Sequence, residues 1–349
     1  MPQNPNTTPI DPKFYSGPLA DRHDPSKCPL FQSLNIGNME LSHRIVLAPL
    51  TRFRADSSHV PREIAQEYYG QRVTKGGLII SEATFVNEEL VGQHHAPGIY
   101  NDEQISAWKK IVSQIHDEGG YIFLQLWATG RAGDQTVHDE LGTRFFAPSP
   151  IALPRETNEH EDSNDRAPEE MTKEDIKRVV GEYATAAKNA VEQAGFDGVE
   201  IHAANGYMVD QFIQSVSNQR TDEYGGSIEN RARFPLEIIQ AVAEAVGQQR
   251  TAIRFSPYST FLGMRMPDPV PQFAYLTREL RERYPDMAYI HFIEGRVHGN
   301  LDVASTIPET SDVFREIWQE KDKERGKESV FLTAGGWSPE SAAKVVQEK

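Results

Sequence analysis

A chain of 349 residues can bury a large core, either as one α/β domain or as two smaller ones. Its formal net charge of -15 is spread along the chain with no block of Lys or Arg, which argues against nucleic acid and anionic membranes as partners. Cys28 is the only cysteine, so an internal disulfide and a multi-cysteine metal site are excluded and a reducing compartment fits.

The first residues, MPQNPNTTPIDPKFYSGPL, are polar and Pro-rich, with neither the apolar core of a signal peptide nor the Arg pattern of a transit peptide. No run of about 18 apolar residues follows, so a soluble, cytoplasmic protein is expected. From Arg44 onward short apolar runs alternate with segments of helical period, the mark of repeated βα units around a parallel sheet. The expected strands are RIVLAPL from Arg44, GLIISEA from Gly77, YIFLQLW from Tyr121, FDGVEIH from Phe196, TAIRFSP from Thr251, AYIHFIE from Ala288 and SVFLTAG from Ser329. Between them, a cap pattern from Asn101 to Gln104 opens a helix that Gly119-Gly120 ends. Thr172 caps a second, whose apolar positions from Ile176 to Val191 keep a three-four spacing up to Gly195. Ser338-Pro339 opens the last, with Pro where its missing N–H costs nothing.

A doubly wound sheet would carry a Gly-rich GxGxxG after its first strand, whereas this one ends APLTRFR. The pattern predicts a (β/α)8 TIM barrel, one domain over 1–349, whose ligand groups come from the C-terminal ends of many strands. Thr51, Glu82, Gln125, Trp127, His202, Asn205, Arg254 and Glu294 all fall at or just past such ends. Residues 30–43 are expected to cover the barrel bottom. Residues 133–171 are Pro-bearing, acidic and aperiodic, too long for an ordinary connection, and are read as a lid or pocket wall.

The stretch HAANGYMVDQF continues a buried strand straight into hydrogen-bonding side chains. His202 and Asn205 lie three residues apart where the chain turns, so both can converge on one oxygen. Two donors there would polarise a carbonyl and stabilise the enolate-like charge that develops when hydride adds to the conjugated carbon. Tyr207 offers a phenol proton to a carbanion nearby. HxxN alone more often marks a core histidine and a turn-forming Asn-Gly; its place at a strand end tips the reading towards chemistry. Gly335, Gly336 and the helix N-terminus after them can cradle a phosphate, although glycine at a barrel strand end is common without one. No catalytic metal is expected, since the adjacent His94 and His95 cannot face one site from a regular strand and no HExxH occurs.

With the segment SNQRTDEYGGSIENRARF that follows it, HAANGY resembles the old yellow enzyme family of FMN-dependent ene-reductases. APLTR, FLQLWATGRA, HAANGY, RFSPY and TAGGWSPE stand in that family's order and spacing over nearly the whole chain. The resemblance implies an FMN cofactor, NADPH as reductant, and an enal or enone substrate met in secondary metabolism or detoxification. By it, His202 and Asn205 bind the substrate carbonyl oxygen and Tyr207 gives a proton to the α-carbon. Thr51 hydrogen-bonds the flavin carbonyl near the reactive nitrogen, and Gln125 holds the pyrimidine edge. Pro49 and Ala83 meet the ring by packing or through backbone, and Trp127 walls the substrate pocket. Arg254 stands beside N1 and O2, where a guanidinium stabilises the charge left by reduction. Both substrates would use one flavin face in turn, which accounts for the missing GxGxxG.

Two other readings stay open: a non-redox isomerase or cyclase using the same pocket, and a flavin-free, non-catalytic binding protein. The family also has an eighth βα unit carrying a phosphate-binding Gly-Arg, and only seven strands precede Lys349. Two explanations compete, a truncated chain or a divergent member that has given up tight flavin binding, and the presence of Thr51, Gln125 and Arg254 favours the first. In either case FMN is expected to be held weakly and the edges of the first and seventh strands to be exposed.

Overall fold

The computed structural model describes residues 28–154, 166–298, 301–302, 309–326 and 328–348. A hairpin of β1 (Leu34–Ile36) and β2 (Met39–Leu41) leads into β3 (Val46–Leu47), α1 (Glu63–Gly70), β4 (Leu78–Phe85), α2 (Asp102–Asp117) and β5 (Tyr121–Trp127). Next come α3 (Gln135–Leu141), β6 (Phe146–Ala147), β7 (Glu169–Glu170), α4 (Lys173–Lys188), β8 (Gly198–Ala203), α5 (Met208–Ile213) and α6 (Ile228–Val246). The chain continues through β9 (Thr251–Phe255), α7 (Val270–Arg283), β10 (Tyr289–Ile293), β11 (Val297–His298) and β12 (Leu301–Asp302). It closes with α8 (Asp312–Gln319), α9 (Asp322–Arg325), β13 (Phe331–Ala334) and α10 (Pro339–Glu348).

Seven strands form one sheet in the order β13-β10-β9-β8-β5-β4-β3, every neighbouring pair parallel. This sequential order is that of a (β/α)8 barrel, with β3 and β13 as its edges among the described residues. Strand side chains alternate between faces, and the apolar pattern follows. Leu124, Leu126, Val199, Ile201, Ile253, Phe255, Ile290 and Phe292 join the core shared with the helices. On the other face, Leu78, Ile80, Phe123, Ala252 and Tyr289 pack with Ile36, Met39 and Leu41 of the hairpin. These are residues from the beginnings of strands, so the hairpin seals that end with apolar surface. Further along, the same face turns polar at Gln125, Glu200, His202, Arg254 and His291.

The helices form where their caps and apolar spacing require. Asn101 accepts the Gln104 N–H at the start of α2, which buries Ile105, Trp108, Ile111, Val112 and Ile115. Thr172 and Asp175 make a reciprocal capping box on α4. Beyond Lys188 the helix widens into a π-turn over Asn189–Ala194 and stops at Gly195, whose φ is 88°. Among the described residues no helix is long and apolar enough to cross a membrane.

Two expectations need correction. The first strand was expected over 44–50, but only Val46 and Leu47 pair, because Pro49 has no N–H to give a ladder and restrains the residue before it. Residues 133–171 were expected to be aperiodic, yet they contain α3, capped by Asp134, and the β6–β7 pair. Those elements are too short to show a period, and 155–165 lie outside the described residues.

Thr172→Ala should cost about 1 kcal/mol in urea unfolding at pH 7, as a lost N-cap does. Partial burial pushes the Asp175 carboxyl up, but Arg144 and Thr172 outweigh it and bring it down to about 2. A carboxyl depressed on folding stabilises above its ordinary value of 3.8 and loses that effect as pH falls through the folded value. The Thr172→Ala penalty should therefore shrink between about pH 4 and 2; a penalty constant with pH would separate the cap from the carboxylate.

Candidate active site at the strand ends

Strand register sets the centre of the site. Gln125 on β5 lies opposite Glu200 on β8, while His202 on β8 lies opposite Arg254 on β9, which in turn faces His291 on β10. Glu200 is wholly buried; its Oε1 accepts from Gln125 Nε2 at 2.8 Å and its Oε2 from His291 Nδ1 at 2.9 Å. Burial alone would raise the Glu200 carboxyl, but His291, Arg254 and Gln125 together hold it below its ordinary value. Burial lowers the His291 imidazole despite the pull of Glu200, so the pair is a carboxylate and a neutral ring. Burial lowers Arg254 as well, opposed by Glu200, yet a guanidinium stays charged.

At the end of β8 the chain makes two successive left-handed residues, Asn205 with φ 56° and Gly206 with φ 76°. Asn tolerates this conformation, and at Gly206 there is no room for a side chain: a Cβ would lie 2.8 Å from Leu262 Cβ and 2.9 Å from Met264 Cγ. The Tyr207 N–H closes the turn onto the Ala204 carbonyl at 3.3 Å, and three hydrogen bonds to side chains brace it. The Asn205 N–H donates to Ser256 Oγ at 2.7 Å, the Gly206 N–H donates to Asp210 Oδ2 at 2.9 Å, and the Gly206 carbonyl accepts from Gln211 Nε2 at 2.7 Å. Burial raises the Asp210 carboxyl to about 7.

This turn sets the Tyr207 ring edge-on to His202, with centroids 5.1 Å apart, and edge-on to Trp127 at 5.0 Å. Trp127 stacks on Phe85, and Tyr207 also packs beside the cluster of Ala132, Leu153 and Leu262. Burial, and then Arg254, bring His202 down to about 3, so its imidazole is neutral at physiological pH. A neutral imidazole and a carboxamide can polarise a carbonyl without placing a second cation beside Arg254.

The other expected residues lie on or after neighbouring strands. Ala83 on β4 is buried opposite Gln125 and shares a cluster with Trp127 and Tyr207. Pro49 and Thr51 follow β3, the strand beside β4, and are half-buried. Glu82 and Glu294 hold neighbouring segments instead. Glu82 accepts from the Arg52 N–H at 3.2 Å, with its carboxyl raised to about 7 by burial, and Glu294 accepts from Thr333 Oγ1 at 2.9 Å and the Ser311 N–H at 3.2 Å. Gly335 and Gly336 follow β13 with φ of 108° and 66°. They line a cavity of about 900 Å³ that extends to Ala48 after β3 and includes His291 and Arg296.

Sequence reading missed Glu200, His291, Ser256, Asp210 and Arg296. Glu200 could have been found, since it stands two residues before His202 and strand alternation puts both on one face. Arg296 holds its guanidinium carbon over Trp337, 4.1 Å from the ring centre, beside Gly336. Among the described residues, Arg254 Nε, His202 Nδ1, Asn205 Oδ1, Trp127 Nε1, and Arg296 Nε and Nη2 are buried without hydrogen-bond partners. Other unpartnered atoms lie elsewhere in the fold, such as Tyr183 OH and Gln272 Oε1, but those of His202, Asn205 and Arg254 fall together at the facing ends of β8 and β9, where a polar ligand could answer them.

Comparisons with known proteins place the chain in a family. The model of the NADH:flavin oxidoreductase / NADH oxidase family matches residues 29–349. Chanoclavine-I aldehyde reductase fgaOx3 of Penicillium roqueforti is 46% identical over 319 residues, covering 91% of this chain and 81% of the relative. A probable inactive dehydrogenase, easA of Claviceps purpurea, is 41% identical over 323 residues, covering 91% and 80%. The crystal structure of Old Yellow Enzyme from a Pichia species superimposes with a TM-score of 0.81 at 39% identity, covering 92% of this chain and 80% of that one.

Gly206→Ala should destabilise the protein by roughly 1–3 kcal/mol, from left-handed strain and the clash with Leu262. Denaturant unfolding measures this directly; a neutral result would mean that the turn is free to relax.

Proposed function

Since this chain belongs to the NADH:flavin oxidoreductase / NADH oxidase family, FMN enzymes reduced by NAD(P)H, we propose that it uses NADPH to reduce the activated C=C bond of α,β-unsaturated carbonyl compounds. The observation that carries the reading is His202, Asn205 and Tyr207 gathered on one strand end against Trp127, directly beside Arg254.

The unanswered buried atoms support FMN. Gln125 and Arg254 would hold the pyrimidine side of the ring, with Ala83, Pro49 and Thr51 along its other edges. Gly335, Gly336 and the start of α10 would take the phosphate, with Arg296 as a cation beside them. Bound FMN supplies hydride transfer. The chain's own part is to hold the substrate carbonyl oxygen on His202 and Asn205, so that the negative charge arising there when the β-carbon gains hydride is stabilised. Tyr207 then gives its phenolic proton to the α-carbon, which completes the saturated product. Trp127 and Leu153 set apolar surface beside Tyr207 that would keep water from the reacting carbons.

A second reading rests on the relative named a probable inactive dehydrogenase: the same pocket used without net reduction. NADPH consumption that depends on added enone separates the two.

Tyr207→Phe should leave flavin reduction by NADPH near the wild-type rate and slow alkene reduction by roughly 10²- to 10⁴-fold, the usual worth of a positioned acid. Stopped-flow traces of the two half-reactions test this, and equal loss in both would make Tyr207 structural. His202→Ala should weaken phenol inhibitors along with the rate, because phenolate oxygen would use the same donors. An unchanged phenolate charge-transfer band in that variant would remove His202 from the oxyanion role.

A further inference from the structure

The two oxygens of Glu200 are each committed, one to the Gln125 amide and one to the His291 ring. A carboxylate can only accept, so the group facing it must donate. The carboxamide of Gln125 has two ends of nearly equal shape, and turning it over would set its oxygen against the Glu200 oxygen, where burial makes an unanswered pair of acceptors costly. The NH2 end is therefore locked on Glu200. By the same rule His291 carries its hydrogen on Nδ1, and neighbouring Arg254 helps to keep Glu200 ionised.

We propose that Glu200 is a positioning residue that fixes the polarity of the Gln125 amide, so that Oε1 and the remaining N–H are presented in a set order to the imide edge of the flavin. That edge runs carbonyl, N–H, carbonyl; the Gln125 oxygen would meet the N–H, and its free hydrogen would meet an adjacent carbonyl. The inference rests on the FMN reading above. It assigns to Glu200 a part in recognition although Glu200 makes no contact with the ligand itself.

Glutamine at position 200 could both donate and accept, so both orientations of Gln125 would be satisfied and the order would be lost. The exchanged pair, Gln125→Glu with Glu200→Gln, keeps volume and one buried hydrogen bond, and again turns an acceptor towards the imide N–H.

The test uses the full chain stripped of flavin, titrated with FMN and with N3-methyl-FMN and followed by quenching of flavin fluorescence. Wild type should prefer FMN by roughly tenfold or more, the worth of one buried hydrogen bond. The preference should fall by at least about threefold in Glu200→Gln and return in the exchanged pair. The ratio is read within each variant, so it does not depend on the amount of folded protein, and the exchanged pair provides a test if the single variant folds poorly. An unchanged ratio in Glu200→Gln, or no recovery in the exchanged pair, overturns the proposal. Failure of wild type to bind either flavin would instead overturn the FMN reading and this inference with it.

Discussion

Strands covered by helices must send every second side chain into the barrel, and in this chain those inward positions change character along their length. Near the strand beginnings they are apolar and sealed by the hairpin; near the ends they are Gln125, Glu200, His202, Arg254 and His291. Taking Glu200 and Arg254 out of water together is expensive, and the expense is offset only if each is met by well-placed partners. Glu200 has its partners within the protein. Arg254 keeps an unanswered Nε, which is why it is read as a cofactor ligand in the proposal above.

The same economy governs the turn after β8. Two left-handed residues in succession are held by Ser256, Asp210 and Gln211, all buried, and the turn places Tyr207 against His202 and Trp127. Rigidity here suits the proposed role, in which a carbonyl oxygen and an α-carbon would be held in one geometry. The neutral His202 fits as well, since a donor that does not titrate near pH 7 keeps its role across the physiological range.

Much of this was legible in the sequence because strands and their ends are local features. The apolar runs place six of the seven sheet strands to within two residues or so at their ends, and Asn101 and Thr172 announce their helices. His202, Asn205 and Tyr207 stood out because polar residues at the end of an apolar run are conspicuous. Glu200 and His291 did not, since a single polar residue inside a strand looks like any other until register shows which residues face each other. Ser256 and Asn205 are far apart in the chain, so the bond that holds the turn is a product of tertiary packing alone. The short elements between 133 and 171 escaped for the opposite reason: each has too few residues for a period to appear.

Reduction at the polar strand ends is the central claim. The direct measurement is anaerobic: the chain reconstituted with FMN is given limiting NADPH, its flavin absorbance is followed, and 2-cyclohexenone is then added and its product identified. The expected result is bleaching by NADPH, recovery of the oxidised spectrum on adding the enone, and one saturated ketone formed for each NADPH consumed. A bound flavin that NADPH does not bleach, or that stays reduced while the enone is left unchanged, would contradict it.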